Sequence, residues 1–166
     1  MLKYSIHSLS GKDRKELLRS LEGKVEDPKE LLPKKVPLFR FSFNKRESAI
    51  VKNKQDILLV ELNDYVIPSL KIARQVSLTV PVITVDLGAI KFVTNGADIM
   101  RPGITEIGDD VLEGNLVVVV EERKKTPLCF GVAQYDAVDM REKTGGKCVK
   151  NLHYLKDKYW TFEAET

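Results

Sequence analysis

Two histidines, two cysteines and one adjacent pair of aspartates are the side chains of this 166-residue chain most suited to catalysis or metal binding. No H-E-x-x-H, C-x-x-C or G-x-S-x-G pattern gives His7 or His153 a partner, and in "NLHYL" His153 reads first as a packed or hydrogen-bonded side chain. Cys129 and Cys148 sit in apolar or loop contexts without metal-ligand spacing, which reads as two free, packed thiols. Asp109 and Asp110 are neighbours in sequence, so their carboxylates point apart, and "GDDVLEGN" reads as a solvated loop. The stretch "GAIKFVTNGADIMRPG" raises a different chemistry, because Gly88, Gly96 and Gly103 surround one short apolar segment as phosphate-binding glycines do. Neither G-x-x-x-x-G-K-[ST] nor G-x-G-x-x-G occurs there, so a mononucleotide site is not expected. No catalytic residue, metal ligand or cofactor follows from these residues.

Charge says more than its sum. The net charge is +3, but residues 1 to 83 carry 16 Lys and Arg against 10 Asp and Glu, whereas residues 84 to 166 carry 11 against 14. That asymmetry suggests two units. Between Pro33 and Lys54 the chain holds Lys34, Lys35, Arg40, Lys45, Arg46, Lys52 and Lys54 against Glu47 alone, a local excess able to draw a polyanion. No apolar run approaches the roughly 20 residues of a membrane span. The start "MLKYSIHSLSGKDRK" lacks the apolar core of a secretory signal, so a cytoplasmic protein is expected.

The elements that must position these groups can be read in order. Ser10 with Asp13 three residues on forms a capping-box start; Leu17, Leu18 and Leu21 make an apolar stripe, and Gly23 ends the helix. Lys12, Lys15 and Arg19 fall on its opposite face. "PLFRFSFN", "ESAIVKN" and "DILLVELN" read as strands, the last two joined by a turn at Asn53 to Asp56. "YVIPSLKIARQ" reads as a helix with Pro68 near its first turn and with Leu70, Ile72 and Ala73 buried. From Val80 onward short strands dominate: "VPVITVD", "NLVVVVEE", "PLCFGVAQY" and "YWTFE", with "ERKKT" as a polar hairpin. Asp86 caps a helix whose Ala89, Ile90, Phe92 and Val93 recur at helical spacing, and Asn95 and Gly96 tolerate the positive φ that ends it. Gly88 permits close packing in its first turn, and Pro102 and Gly103 suit the centre of a type II turn.

These same residues carry a resemblance. "DLGAIKFVTNGADIMRPGI" resembles the signature of the PUA domain, an RNA-binding module named for pseudouridine synthases and archaeosine transglycosylases; Ala97, Ile99, Pro102, Gly103 and Ile104 match its strand. Over nearly the whole chain, "IPSLKIARQ", "GAIKFV" and "NLHYLKDKYW" resemble the malignant T-cell-amplified sequence family, which includes the translation machinery-associated proteins of yeast and archaeal homologues. The resemblance implies an α+β chain, an N-terminal small α/β domain over residues 1–78 preceding a C-terminal PUA β-barrel over 79–166. It also implies work at the small ribosomal subunit in initiation or recycling, with a density-regulated-protein-like partner.

By that resemblance the RNA groove should lie between the glycine turn and the last strands, with Lys91, Thr94, Asn95, Gly96, Ala97 and Arg101 on one side and His153 and Tyr154 on the other. Arg101 can pair with phosphate, backbone N–H groups near Gly96 can take an anion, and Tyr154 can stack on a base. Lys34, Lys35, Lys45 and Arg46 would hold the phosphate backbone. Ala97 and Tyr154 could equally pack the barrel. The reading is a non-enzymatic protein binding structured RNA, ribosomal or transfer RNA, with no membrane partner. Two rivals stand beside it: an accessory subunit for an RNA-modification enzyme, since the chain is too short to add a catalytic domain to the PUA unit, and a protein-interaction adaptor whose barrel lacks RNA affinity. The acidic C-terminal half favours the second.

Overall fold

The computed structural model describes residues 3–163. Its chain forms two compact units: the described residues up to Thr79 together with those from Thr161 onward, and Val80–Trp160. The second unit thus stops short of the chain end, because residues 161–163 belong with the first.

In the first unit, β1 (Ser5–Ser8) leads into α1 (Gly11–Leu21) and α2 (Pro28–Leu31), followed by β2 (Leu38–Asn44), β3 (Glu47–Lys52), β4 (Asp56–Leu62), β5 (Tyr65–Pro68) and α3 (Leu70–Ala73). The five strands form an antiparallel sheet in sequence order. The capping box at α1 is formed in both directions: Ser10 Oγ accepts from the Asp13 N–H at 3.1 Å, and Asp13 Oδ2 accepts from the Ser10 N–H at 3.3 Å. Leu17 and Leu21 turn inward and pack with Val25, Leu31, Leu38, Ile50 and Leu59 into one core, with Leu18 half-buried at its edge.

"YVIPSLKIARQ" is not one helix. Asn63, at φ 54, makes a tight turn that sends Tyr65–Pro68 back along β4, and Pro68 lies opposite Leu59 on the sheet's last strand. A proline is tolerated there because an edge strand does not need all of its N–H donors. Only Leu70–Ala73 is helical, started by Ser69, whose Oγ accepts from the Ile72 N–H while donating to the Ile57 carbonyl.

The second unit runs β6 (Val82–Val85), a 3-10 turn at Leu87–Ala89, α4 (Ile90–Val93), β7 (Ile99–Met100), a 3-10 turn at Arg101–Gly103, β8 (Ile104–Ile107), β9 (Leu116–Glu121), β10 (Pro127–Ala133), α5 (Ala137–Glu142) and β11 (Lys147–Tyr154). Its sheet has the order β7-β11-β10-β9-β6-β8. Three residues join β7 to β8, the two strands at opposite edges, so the sheet curls on itself into a nearly closed barrel. Ile83, Val85, Val117, Val119, Cys129 and Val149 fill it.

The last strand is Lys147–Tyr154, whereas "YWTFE" forms turns and irregular chain. Asp157 explains the difference: its carboxylate accepts from the N–H groups of Tyr154, Tyr159 and Trp160 at 2.9–3.0 Å, which folds the backbone around one side chain. β10 and β11 approach each other at Gly131, where a Cβ would lie 2.5 Å from the Lys150 carbonyl oxygen, so no side chain fits. The "ERKKT" hairpin forms around Glu121, whose carboxylate accepts from the N–H groups of Thr126, Arg123 and Lys124. These bonds, that from Thr126 foremost, hold its pKa below the ordinary glutamate value. Its contribution to stability is therefore complete above the unfolded-state pKa and is lost as pH falls through the lowered folded value. Among the described residues no helix is long and apolar enough to cross a membrane.

Candidate nucleic-acid interface

The glycine-rich stretch folds through local backbone chemistry. Asp86 Oδ1 accepts from the Ala89 N–H at 2.9 Å and starts the helical segment. At the other end Ala97 N–H donates to the Phe92 carbonyl and Gly96 N–H to the Val93 carbonyl, the paired bonds of a Schellman motif with Gly96 at φ 92. The N–H groups expected to hold an anion near Gly96 are therefore already engaged. Gly96 has a second constraint, since a Cβ there would lie 2.9 Å from Tyr154 Cζ. Gly96→Ala combines a strained φ with that collision and is expected to lower stability of its unit by about 1–3 kcal/mol, measured by hydrogen exchange of the Val117 and Val119 amides on β9; unaltered exchange would contradict the argument. Gly103 is different. Its φ is not positive and Arg101–Gly103 is a 3-10 turn rather than a type II turn, and a Cβ on Gly103 would lie 3.4 Å from the Ala89 Cβ. At Gly88 a Cβ would meet only Asp86 Oδ1 at 3.5 Å, an ordinary contact, so close packing does not require glycine there.

Between the helical segment and β7 lies a groove of about 470 Å³, lined by Gly88, Ala89, Phe92 and Val93 on one side and Ile99, Met100, Pro102 and Gly103 on the other, with Ala97 beside them. Asp86 and Asp98 are among its lining residues, and Asp98 Oδ1 accepts from the Asn151 N–H at 2.9 Å. Phe92 is 58% exposed and Met100 50%. The groove thus offers mainly apolar surface, which suits the face of a flat ring better than a phosphate. Two cations stand against its lining residues: Lys91 Nζ sits 5.0 Å from the Phe92 ring centre, and Lys147 Nζ pairs with Asp98 at 3.5 Å.

Several expected contacts are committed elsewhere. Arg101 is not a free phosphate ligand: its Nε donates to the Met140 carbonyl at 3.0 Å and its Nη1 to the Ile104 carbonyl at 3.1 Å, tying α5 to β8. Thr94 Oγ1 donates to the Ile90 carbonyl at 2.8 Å. His153 is 1% exposed, with Nδ1 2.6 Å from Asp157 Oδ2 and its ring edge-on to Tyr159, which withdraws it from any surface ligand. Tyr154 is half-buried and backs the Gly96 turn rather than facing the groove's other wall. The groove is closed by β7 and not by the last strand. Asn95 and Ala97 are exposed, and only Ala97 lines it. Both cysteines are buried free thiols whose pKa values burial pushes up, so neither is a nucleophile at neutral pH.

The sequence did not mark Phe92, Met100 and Asp98 as groove-lining residues, nor Asn151 as the brace of the turn. Phe92 reads as part of a buried stripe only if the helix is regular, but a 3-10 turn precedes four α-helical residues and rotates it outward. Asn151 holds the turn from β11: its Nδ2 donates to the carbonyls of Val93 and Ala97 at 3.1 and 3.0 Å, and its N–H donates to Asp98 Oδ1 at 2.9 Å.

In the first unit Lys34, Lys35, Lys45 and Arg46 are all exposed, yet they divide between the two ends of β2. A seven-residue strand separates them by roughly 20 Å. Arg14 donates to the carbonyls of Leu32, Pro33 and Val36, which brings the Lys34–Lys35 loop against the start of α1, the helix carrying Lys12 and Lys15. Lys52 lies opposite Leu38, and Lys54 Nζ sits 5.5 Å from the Phe39 ring centre, so both join that end. Arg40 leaves the cluster, paired with Glu61 at 2.8 Å and Asp13 at 3.7 Å.

The model of the PUA domain matches residues 81–155. The chain is 38% identical to an uncharacterised protein of Methanocaldococcus jannaschii, over 94% of its own length and 95% of the relative's. It is 32% identical to translation machinery-associated protein 20 of Saccharomyces cerevisiae, covering 96% of this chain and 95% of that one. Among solved structures, a hypothetical protein of Pyrococcus horikoshii superposes with a TM-score of 0.78 at 31% identity, covering 94% of this chain and 98% of that one. A barrel built around this glycine turn, joined to the same N-terminal unit and matched end to end, places the chain in the PUA-domain family that comprises translation machinery-associated protein 20 and the malignant T-cell-amplified sequence proteins.

Proposed function

We propose that this chain is a non-catalytic RNA-binding protein of the translation apparatus, in which the barrel groove takes an unpaired base and the basic end of the N-terminal sheet holds phosphates. The observation that carries the reading is the groove itself: a largely apolar cleft with Phe92 and Met100 exposed at it. Bases have an apolar π-face and N–H edges, and phosphates have neither, so the two parts of an RNA sort onto the two kinds of surface. Translation machinery-associated relatives point to ribosomal or transfer RNA as the source, and a density-regulated-protein-like partner belongs to the same reading.

Salt dependence tests the phosphate part. Transfer RNA with a single-stranded end serves as the probe, with affinity measured by fluorescence anisotropy across salt. Lys34→Ala, Lys35→Ala, Lys52→Ala and Lys54→Ala combined should reduce the slope of log K against log salt by about 3. Lys45→Ala with Arg46→Ala, at the far end of β2, should change it by less. An unchanged slope in the fourfold variant removes the basic end from the footprint.

A further inference from the structure

We infer that the outer face of α5, together with the loop between β8 and β9, is a docking surface for a basic protein segment carrying an apolar anchor. α5 buries Ala137 and Met140, one helical turn apart, so Val138, Asp139 and Glu142 face outward. Val138 is 67% exposed, and Leu112, in the loop between β8 and β9, is 52% exposed. The Ala137 N–H donates to the Val111 carbonyl at 2.9 Å and the Glu113 N–H donates to Asp136 Oδ1 at 2.8 Å, which ties the loop carrying Leu112 to the start of α5. Leu112 sits between the two clamped residues. Its exposure is thus imposed by hydrogen bonds on either side while Val111, next to it, fills the core. Two apolar side chains held out on segments that are bonded to each other leave apolar surface for a partner to cover.

Charge decides the occupant. Residues 108–113 and 136–143 carry Asp109, Asp110, Glu113, Asp136, Asp139 and Glu142 against Arg141 and Lys143, a net charge of −4. Both cations are engaged: Arg141 donates to the Ile107 carbonyl and pairs with Asp109, and Lys143 Nζ lies 4.5 Å from the Tyr135 ring centre. RNA is excluded by its phosphates, which this face repels. A second copy of the chain is excluded as well, because a two-fold pairing would set acidic face against acidic face. A segment with Leu or Phe flanked by Lys and Arg satisfies both features, its anchor covering Leu112 and Val138 and its cations meeting the rim. This surface is separate from the base groove, so its assignment stands or falls without the RNA reading.

The test uses the full chain and a fluorescein-labelled peptide in which two leucines are flanked by lysines, compared with the same peptide carrying serine for leucine. The leucine peptide should bind at least about tenfold tighter, and Leu112→Ser with Val138→Ser should abolish that difference. Amide shifts on peptide addition should cluster at residues 108–113 and 136–143, and transfer RNA affinity should be unchanged in the double variant. Equal binding of both peptides overturns the proposal. So does loss of RNA affinity in the double variant at unchanged thermal stability, or concentration-dependent self-association that the double variant removes. Because both side chains are exposed, the serine variants leave the core intact, and an unchanged thermal transition verifies it.

Discussion

Phe162→Ala is expected to weaken the N-terminal unit by about 3–5 kcal/mol, the largest loss of any single substitution considered. Phe162 is 9% exposed and belongs to that unit although it lies near the end of the chain. Its ring meets Phe41 edge-on at 5.8 Å, Phe43 at 5.5 Å and Tyr4 at 5.6 Å, and Tyr4 stacks on Phe41 at 5.0 Å. Removing one ring from four interlocked ones forfeits both its buried area and the favourable edge-to-face geometry. Because the chain has two units, a single unfolding curve mixes them. Hydrogen exchange of the Ala49, Ile50 and Val51 amides on β3 reports the first unit alone, and should accelerate by about a hundredfold or more. Phe162→Leu, which keeps part of the volume, should cost less. Unaltered exchange in the alanine variant means that the aromatic cluster does not hold the sheet.

Phe92→Ala is expected to weaken binding of single-stranded RNA by about 5- to 150-fold, the worth of one base stacked on an aromatic ring. Stability should not change, because the side chain is mostly exposed. Phe92→Tyr should keep most of the affinity, since a π-face remains. The salt slope should stay that of the parent protein, and this separates stacking from phosphate contact, which the lysine variants alter. A fully paired RNA without a single-stranded end should bind the parent and the variant alike. If alanine at this position leaves single-strand affinity intact, the groove does not take a base.

Much of the site's scaffold was legible because its interactions are local. Ser10 with Asp13, Asp86 with Ala89, and the Gly96 turn each join residues within five positions of one another, and residue type alone specifies them. The strands of the barrel were legible for a related reason, since short β-branched runs such as "NLVVVVEE", bounded by turn residues, suit a strand buried on both faces. Tyr65–Pro68 was misread because its apolar residues fit a helical period as well as a strand, and only the pairing with β4 decides. The glycine turn was visible, but not that a 3-10 turn ahead of α4 would bring Phe92 to the surface.

By itself the chain's order of residues determined two units, a capped first helix, a barrel entered through a glycine turn and the family to which all of it belongs. Which side chains remain available to a ligand was settled by tertiary structure alone. Arg101, His153 and Arg40 carry the right chemistry for RNA, yet each meets a partner supplied by folding: Met140 and Ile104 carbonyls, Asp157, and Glu61 with Asp13. Chemistry is a property of the residue type, whereas availability depends on which groups come within about 3 Å once the chain is packed. Most of those partners stand distant in sequence, where no spacing rule reaches.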